Sequence, residues 1–399
     1  MRSIALLLIV SITGATTVCA QRPGAQNSGD INIEAGQQCP PGTTEIRPRI
    51  CRAPQVPAPS ILDYRPRSTL VTAEHLVPRA KFPAIDYHGH PENLIFSAEG
   101  LAQLKTALDA LNVRMMISAD DLSGAQLKKA LDAIAASQMN DRVRVLAGID
   151  FNNVGPGWAE KAVRQLDADI AAGAVGVGEL PKFLGLRYKK PDGTRLHIDD
   201  PELDPIWDEC AKLGVPVFIH TADPEQFFEE INLTNERWLE LSLFPGRRYP
   251  QDRFPSFEEL IKERDNLFKR HPKTTFVTAH MGWQANDLGK LGKLLDENPN
   301  VYTEVGAVLY DIGRQPRAAH DFFVKYQDRI LFGKDSFQPE EYPYYWRVFE
   351  TRDEYFDYYR HYHAFWKLYG IDLPDNVLKK VYYQNALKIT KKLPGSNWS

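Results

Sequence analysis

The sequence predicts an α/β fold, a (β/α)8 TIM barrel with long aromatic-rich loops at the C-terminal face of its strands. Two observations carry this: eight short Val/Ile/Phe-rich runs alternate with helical patterns, and several runs end on a histidine or an aspartate. The runs span 83–89, 113–119, 143–150, 174–180, 215–221, 275–280, 301–306 and 329–335. Helical patterns between them cover 99–111, 124–137, 158–172 and 201–213. Near-continuous apolar strands separated by helices belong to a parallel sheet covered on its outside. Eight such units in about 300 residues close into a barrel whose chemistry sits at the carboxyl ends of the strands. An open doubly wound sheet is the alternative, but no Gly-rich phosphate loop follows the first run.

The chain has 399 residues, 43% hydrophobic and 25% charged, with a net charge of −4. That suffices for one large core. A pI of about 6.2 and the lack of a long Lys/Arg block argue against nucleic acid or an anionic membrane as partner. A small-molecule substrate is expected, and a homo-oligomer is left open.

Residues 1–20 read as a signal peptide: Met1-Arg2, an apolar run from Ile4 to Val10, small residues, then Val18-Cys19-Ala20 before Gln21. The run is shorter than the roughly 20 apolar residues of a membrane span, and bulky Val18 disfavours a lipid anchor on Cys19. The expected protein is therefore exported, periplasmic or secreted. Residues 21–80 form a Pro/Gly-rich arm without sustained periodicity, not a domain in itself. Cys39 and Cys51 bracket a Pro-rich stretch, so a local disulfide is expected in an oxidising compartment. Residues 81–395 are the barrel domain, in which Cys210 is expected to be a buried apolar residue. Within it, 222–272 and 338–373 are too long for simple crossovers. Their aromatic residues are read first as packing of an added helical subdomain, otherwise as an aromatic-substrate wall or a dimer surface.

His88 and His90 stand two apart on the first run and so share a face, the barrel interior. Alone, such a pair says little. With His220 closing the fifth run, His280 the sixth and Asp335 the eighth, five metal-ligating side chains reach one rim. These residues, with Asp86-Tyr-His88-Gly-His90, Pro272-Lys-Thr-Thr-Phe, Asp328-Arg-Ile-Leu-Phe-Gly-Lys-Asp335 and the late Val377-Leu-Lys-Lys-Val-Tyr-Tyr-Gln-Asn-Ala386, resemble the amidohydrolase superfamily. The nearer resemblance is to the amidohydrolase-related branch that holds the aminocarboxymuconate-semialdehyde decarboxylase-like enzymes. It covers residues 70–392.

The resemblance implies a divalent metal, zinc first with manganese or iron as alternatives, as one ion or two. His88, His90 and His220 would be ligands, and Asp335 a ligand and proton carrier. His280 would be a ligand of a second ion, or the catalytic histidine that stabilises an oxyanion beside a single ion. Two-metal members commonly carry a carboxylated Lys or a Glu on strand four. Here Glu179 stands near that strand end, as a ligand or as a carboxylate paired with Lys182 or Arg187 that shapes the pocket.

Trp283, Lys182 and Arg187 are the substrate-binding candidates. Glu304 is either aimed into the barrel mouth or a buried hydrogen-bonded carboxylate, and Asp86 is expected to orient a ligand from behind. His361 and His363 read as surface or packing residues; His75, His197, His271 and His320 receive no role. The implied activity is a metal-dependent hydrolase of an amide, ester or lactone-like bond. The alternative is a non-oxidative decarboxylase of an aromatic or unsaturated acid. A binding protein with a degenerate site is the third reading, opposed by the complete ligand set.

Overall fold

The computed structural model describes residues 29–362, 365–396 and 398. The expected signal peptide and His363 lie outside these residues. The chain divides into two compact units, residues 1–70 and 71–399.

In the first unit, β1 (Asp30–Asn32), β2 (Thr44–Arg47) and β3 (Ile50–Arg52) form an antiparallel sheet in the order β1-β3-β2. Strands this short leave no periodicity in the sequence, which is why the segment reads there as an irregular arm. Cys39 and Cys51 are disulfide-bonded, with Cα atoms 5.7 Å apart, tying the loop after β1 to the central strand. Asp30 faces Arg52 across the ladder, and the two form an ion pair of 2.6 Å.

The second unit is the barrel. Its strands are β4 (Ala84–His90), β5 (Val113–Leu122), β6 (Val143–Ala147), β7 (Val177–Leu180), β8 (Val217–Ile219), β9 (Phe276–Thr278), β10 (Val301–Glu304), β11 (Ile330–Leu331) and β12 (Asp335–Ser336). All pair in parallel, each with its predecessor up to β11, while β12 pairs with β4. The last two are pieces of one run, so the eighth strand meets the seventh through β11 and the first through β12. That closes the ring and sets Asp335 beside Gly89.

The crossover helices start and stop where local chemistry dictates. Helix Ala98–Leu111 is capped by Ser97, whose hydroxyl accepts from Gly100 N–H, and ends on Asn112 in the left-handed region. Its buried Leu101, Leu104, Leu108 and Leu111 recur at helical spacing. They pack on the outer faces of the strands, in a core that includes Ala84, Met116, Val145, Val177, Val217 and Phe276. A separate inner core takes Ile85, Tyr87, Met115, Ile117, Leu146, Val175, Phe218, Val277 and Leu331, and is floored by Ala386, Ile389 and Leu393 near the C-terminus. Alternate residues of one strand thus serve two cores, as a period of two requires.

Register slips interrupt that period at several places, two of which shape the rim. On β4 the register slips between Asp86 and Gly89. Tyr87 and His88, though adjacent, therefore both reach Phe218 in the interior, with ring centroids 5.9 and 4.7 Å from it. On β7 it slips between Val177 and Leu180, at Gly178-Glu179. Gly178 has φ +123°, and a Cβ there would overlap the carbonyl oxygen of Phe218. We expect Gly178→Ala to lose about 2–4 kcal/mol of stability through overpacking and backbone strain. Chemical denaturation would measure that loss, and metal content would fall with it as Glu179 is displaced.

Candidate metal centre

The rim of the barrel gathers one carboxylate among four imidazoles. Glu179 Oε1 lies 2.7 Å from His220 Nδ1 and 3.7 Å from His280 Nε2. Its Oε2 lies 3.2 Å from His88 Nε2 and 3.3 Å from His90 Nε2, and Asp335 Oδ1 is 3.8 Å from that same His90 nitrogen. His88, His90, His220, His280, Asp335 and Glu179 are thus brought together. Glu179 pairs with the histidines and not with Lys182 or Arg187.

Three of the four imidazoles are aimed by a partner on the far side. His88 Nδ1–H donates to Glu304 Oε1 at 3.0 Å, and His90 Nδ1–H to Asp120 Oδ1 at 3.1 Å. His280 Nδ1–H donates to the Gly306 carbonyl at 2.9 Å. A carbonyl only accepts, so in neutral His280 the proton is on Nδ1 and Nε2 presents a lone pair. Behind β4, Asp86 accepts from the N–H groups of His88 and Lys334 and from the hydroxyl of Tyr342. Glu304 is fully buried, and besides His88 it accepts His280 N–H at 2.6 Å and Gly306 N–H at 2.5 Å. Of its two readings, the buried, hydrogen-bonded one holds. Gly333 leaves room for it, since a Cβ there would overlap Glu304 Oε2.

His280 itself sits in a left-handed turn after β9. His280, Met281, Gly282 and Trp283 all have positive φ, a strained path for non-glycine residues. Buried Arg264 braces it by donating to the Gly282 carbonyl at 2.9 Å. The turn stacks Trp283 on His280 with centroids 4.3 Å apart and brings the indole N–H to 3.3 Å from His220 Nε2.

The charges favour a cation. Burial opposes ionisation of Glu179, yet the facing His88 and His220 hold its carboxyl well below the usual range. Burial likewise opposes protonation of His88, but Glu179 and Glu304 raise it well above an ordinary histidine; His90 is raised to about 9, chiefly against burial by Asp120 and Glu179. His280 goes the other way, to about 4, through burial and the neighbouring His220 and His88. The carboxylates therefore draw positive charge inward, while His88 Nε2 is buried without a hydrogen bond. In its neutral form, with the proton on Nδ1 toward Glu304, His88 would face Glu179 with a lone pair, a repulsion that a cation between them relieves. These imidazole and carboxylate donors fit a divalent metal.

A cavity of about 1030 Å³ opens over this rim, lined by His90, Glu179, His220, His280, Trp283 and Asp335. Lys182 lines it too, with Nζ on Asp223 Oδ2 at 3.0 Å. Arg187 does not. Its guanidinium lies over Phe183 at 4.5 Å and near Tyr249 and Phe254. Sequence reasoning missed Asp120 and Asp121, both on the cavity wall. Burial raises Asp121 to about 7, with the charges of Glu179 and Asp150 adding to the effect. The adjacent acids directly after the second apolar run were the available signal.

No curated protein matches the sequence. An uncharacterised TIM-barrel protein from Bordetella bronchiseptica is similar in structure, at 15% identity over 77% of this chain and 97% of its own, with a TM-score of 0.49. A dihydroxybenzoic acid decarboxylase from Polaromonas, with bound manganese, aligns at 14% identity over 78% and 97%, TM-score 0.47. A 4-oxalomesaconate hydratase from Rhodopseudomonas palustris aligns at 14% over 77% and 95%, TM-score 0.46. The reaction named for each belongs to that protein. A family model described as amidohydrolase matches residues 85–389, from the first barrel strand to the last helix and across every donor at the rim, and the chain belongs to the amidohydrolase family.

Proposed function

We propose that this protein is an exported metal-dependent hydrolase that uses water to cut an amide, ester or lactone-like bond. The observation that carries the reading is the position of Glu179. Its Oε2 faces His88 and His90, with Asp335 beside them, and its Oε1 faces His220 and His280, while His88 and His280 also group with Glu179 across it. One carboxylate common to both sets suits a pair of ions, and the imidazole-rich donors suit zinc. A divalent cation held there supplies Lewis acidity and acidifies water.

The chain's own groups supply the rest. Asp335 is ionised, because His88, His280 and His90 outweigh its burial, and it reaches the cavity. It is placed to take a proton from the attacking water and return it to the leaving group. His280 acts as a ligand in this reading. Its Nδ1–H is spent on Gly306, so neutral His280 has no proton on Nε2 to offer an oxyanion. Trp283 walls the pocket beside it and Lys182 lines the rim. The signal-like N-terminus and the Cys39–Cys51 disulfide support export to an oxidising compartment.

The test is a panel of esters, amides and lactones run in 18O-labelled water with metal-loaded protein. One labelled oxygen in the product is expected. Release of CO2 without label would overturn the reading in favour of a carboxy-lyase. We further expect His88→Ala and His220→Ala to lose metal and turnover together, read by elemental analysis and initial rates. Activity persisting in metal-free His88→Ala would sink the mechanism.

A further inference from the structure

The wall of the cavity away from the metal donors carries three arginines. Arg237 and Arg247 both donate to Glu240, at 2.7 and 2.5 Å. Arg360 lies 3.8 Å from Glu341, which also accepts from Lys334 Nζ. Each of these carboxylates is shared by two cations, and buried Asp311, which pairs with Arg314, adds its charge near Arg237. Arg237, Arg247 and Arg360 all line the cavity and come from the two long insertions, 222–272 and 338–373.

Arg237 is the most telling of the three. Its side chain is only 3% exposed and lies 4.0 Å over the ring of Tyr310. Only Nη1 is spent on Glu240. Nε–H and Nη2–H make no hydrogen bond among the described residues, and Arg237 lines the cavity. These two groups point along the same edge of the guanidinium, the fork that matches a carboxylate. A desolvated cation with an unused fork is costly to keep unless a ligand completes it.

We propose that the substrate is itself an acid, carrying a carboxylate remote from the bond that is cut, which docks on the free fork of Arg237 with Arg360 adding a second positive charge. This rests on the hydrolase reading for the bond, but not for the group that is held. The test is calorimetric titration of the full, zinc-loaded protein with succinate, glutarate, adipate and isophthalate, each beside its dimethyl ester. At least one acid should bind, and about tenfold or more tighter than its ester, as expected for a charge-assisted bidentate contact. Arg237→Met should erase that preference with zinc content unchanged. Arg237→Lys, which keeps the charge and loses the fork, should lose most of it, and it carries the test if the methionine variant does not fold. Absence of binding by every acid, equal binding of acid and ester, or a preference that survives Arg237→Lys undiminished would overturn the proposal. Because no turnover is needed, acid binding through Arg237 in a protein that releases CO2 would refute the hydrolase reading alone.

Discussion

Glu179→Gln is expected to reduce turnover by at least about 10³-fold, some 4 kcal/mol of transition-state stabilisation, and to lower the bound metal. Glutamine keeps the volume and loses the charge. In the native site the carboxylate offers Oε2 to His88 and His90 and Oε1 to His220 and His280. An amide satisfies one of those faces with its oxygen and turns an NH2 group toward the other, where it competes with a cation for the nitrogen lone pairs. Both donor sets share the group, so the loss falls on both. Metal analysis of the purified variant beside initial rates on a hydrolysed ester is the measurement. Wild-type metal content with wild-type rate would remove Glu179 from the centre.

Much of this site could be read from the chain because it depends on strand ends. Apolar runs that stop on His88-Gly-His90, His220, His280 and Asp335 place those side chains at one rim whatever the intervening helices do. What aims them was harder to see. The slip in β4 that turns both Tyr87 and His88 inward breaks the alternation on which sequence reasoning relies. Asp120 came from extending β5 past its apolar run, and Glu304 gained its meaning only when β10 closed against β9 and β11. Arg187 was misplaced as a cavity residue because nothing in Leu186-Arg187-Tyr188 records which way the loop turns. The three-stranded sheet of residues 30–52 stayed hidden for a related reason, since strands of three or four residues carry too little pattern.

Glu304→Gln tests the support behind the metal donors, and its effect is expected to be large although Glu304 does not line the cavity. The two carboxylate oxygens are fixed by two backbone donors, His280 N–H on Oε1 and Gly306 N–H on Oε2. Glutamine has one acceptor oxygen, so in either orientation its NH2 must confront one of those N–H groups. A buried donor left unsatisfied costs about 1–3 kcal/mol, and here two donors face each other, so the melting temperature should drop by several degrees. If the NH2 lies at the Oε1 position, it also confronts His88 Nδ1–H, and His88 turns away from the metal. If it lies at the Oε2 position, the strand end at Gly306 is pushed off, and with it the carbonyl that fixes the proton of His280. Either way metal affinity should fall by about 10–100-fold, the range for groups that orient a metal ligand. Competition with a chelating dye gives the affinity, and saturating metal should restore much of the turnover, which it cannot do for Glu179→Gln. Unchanged metal affinity in a folded Glu304→Gln protein would show that His88 and His280 hold their aim without it.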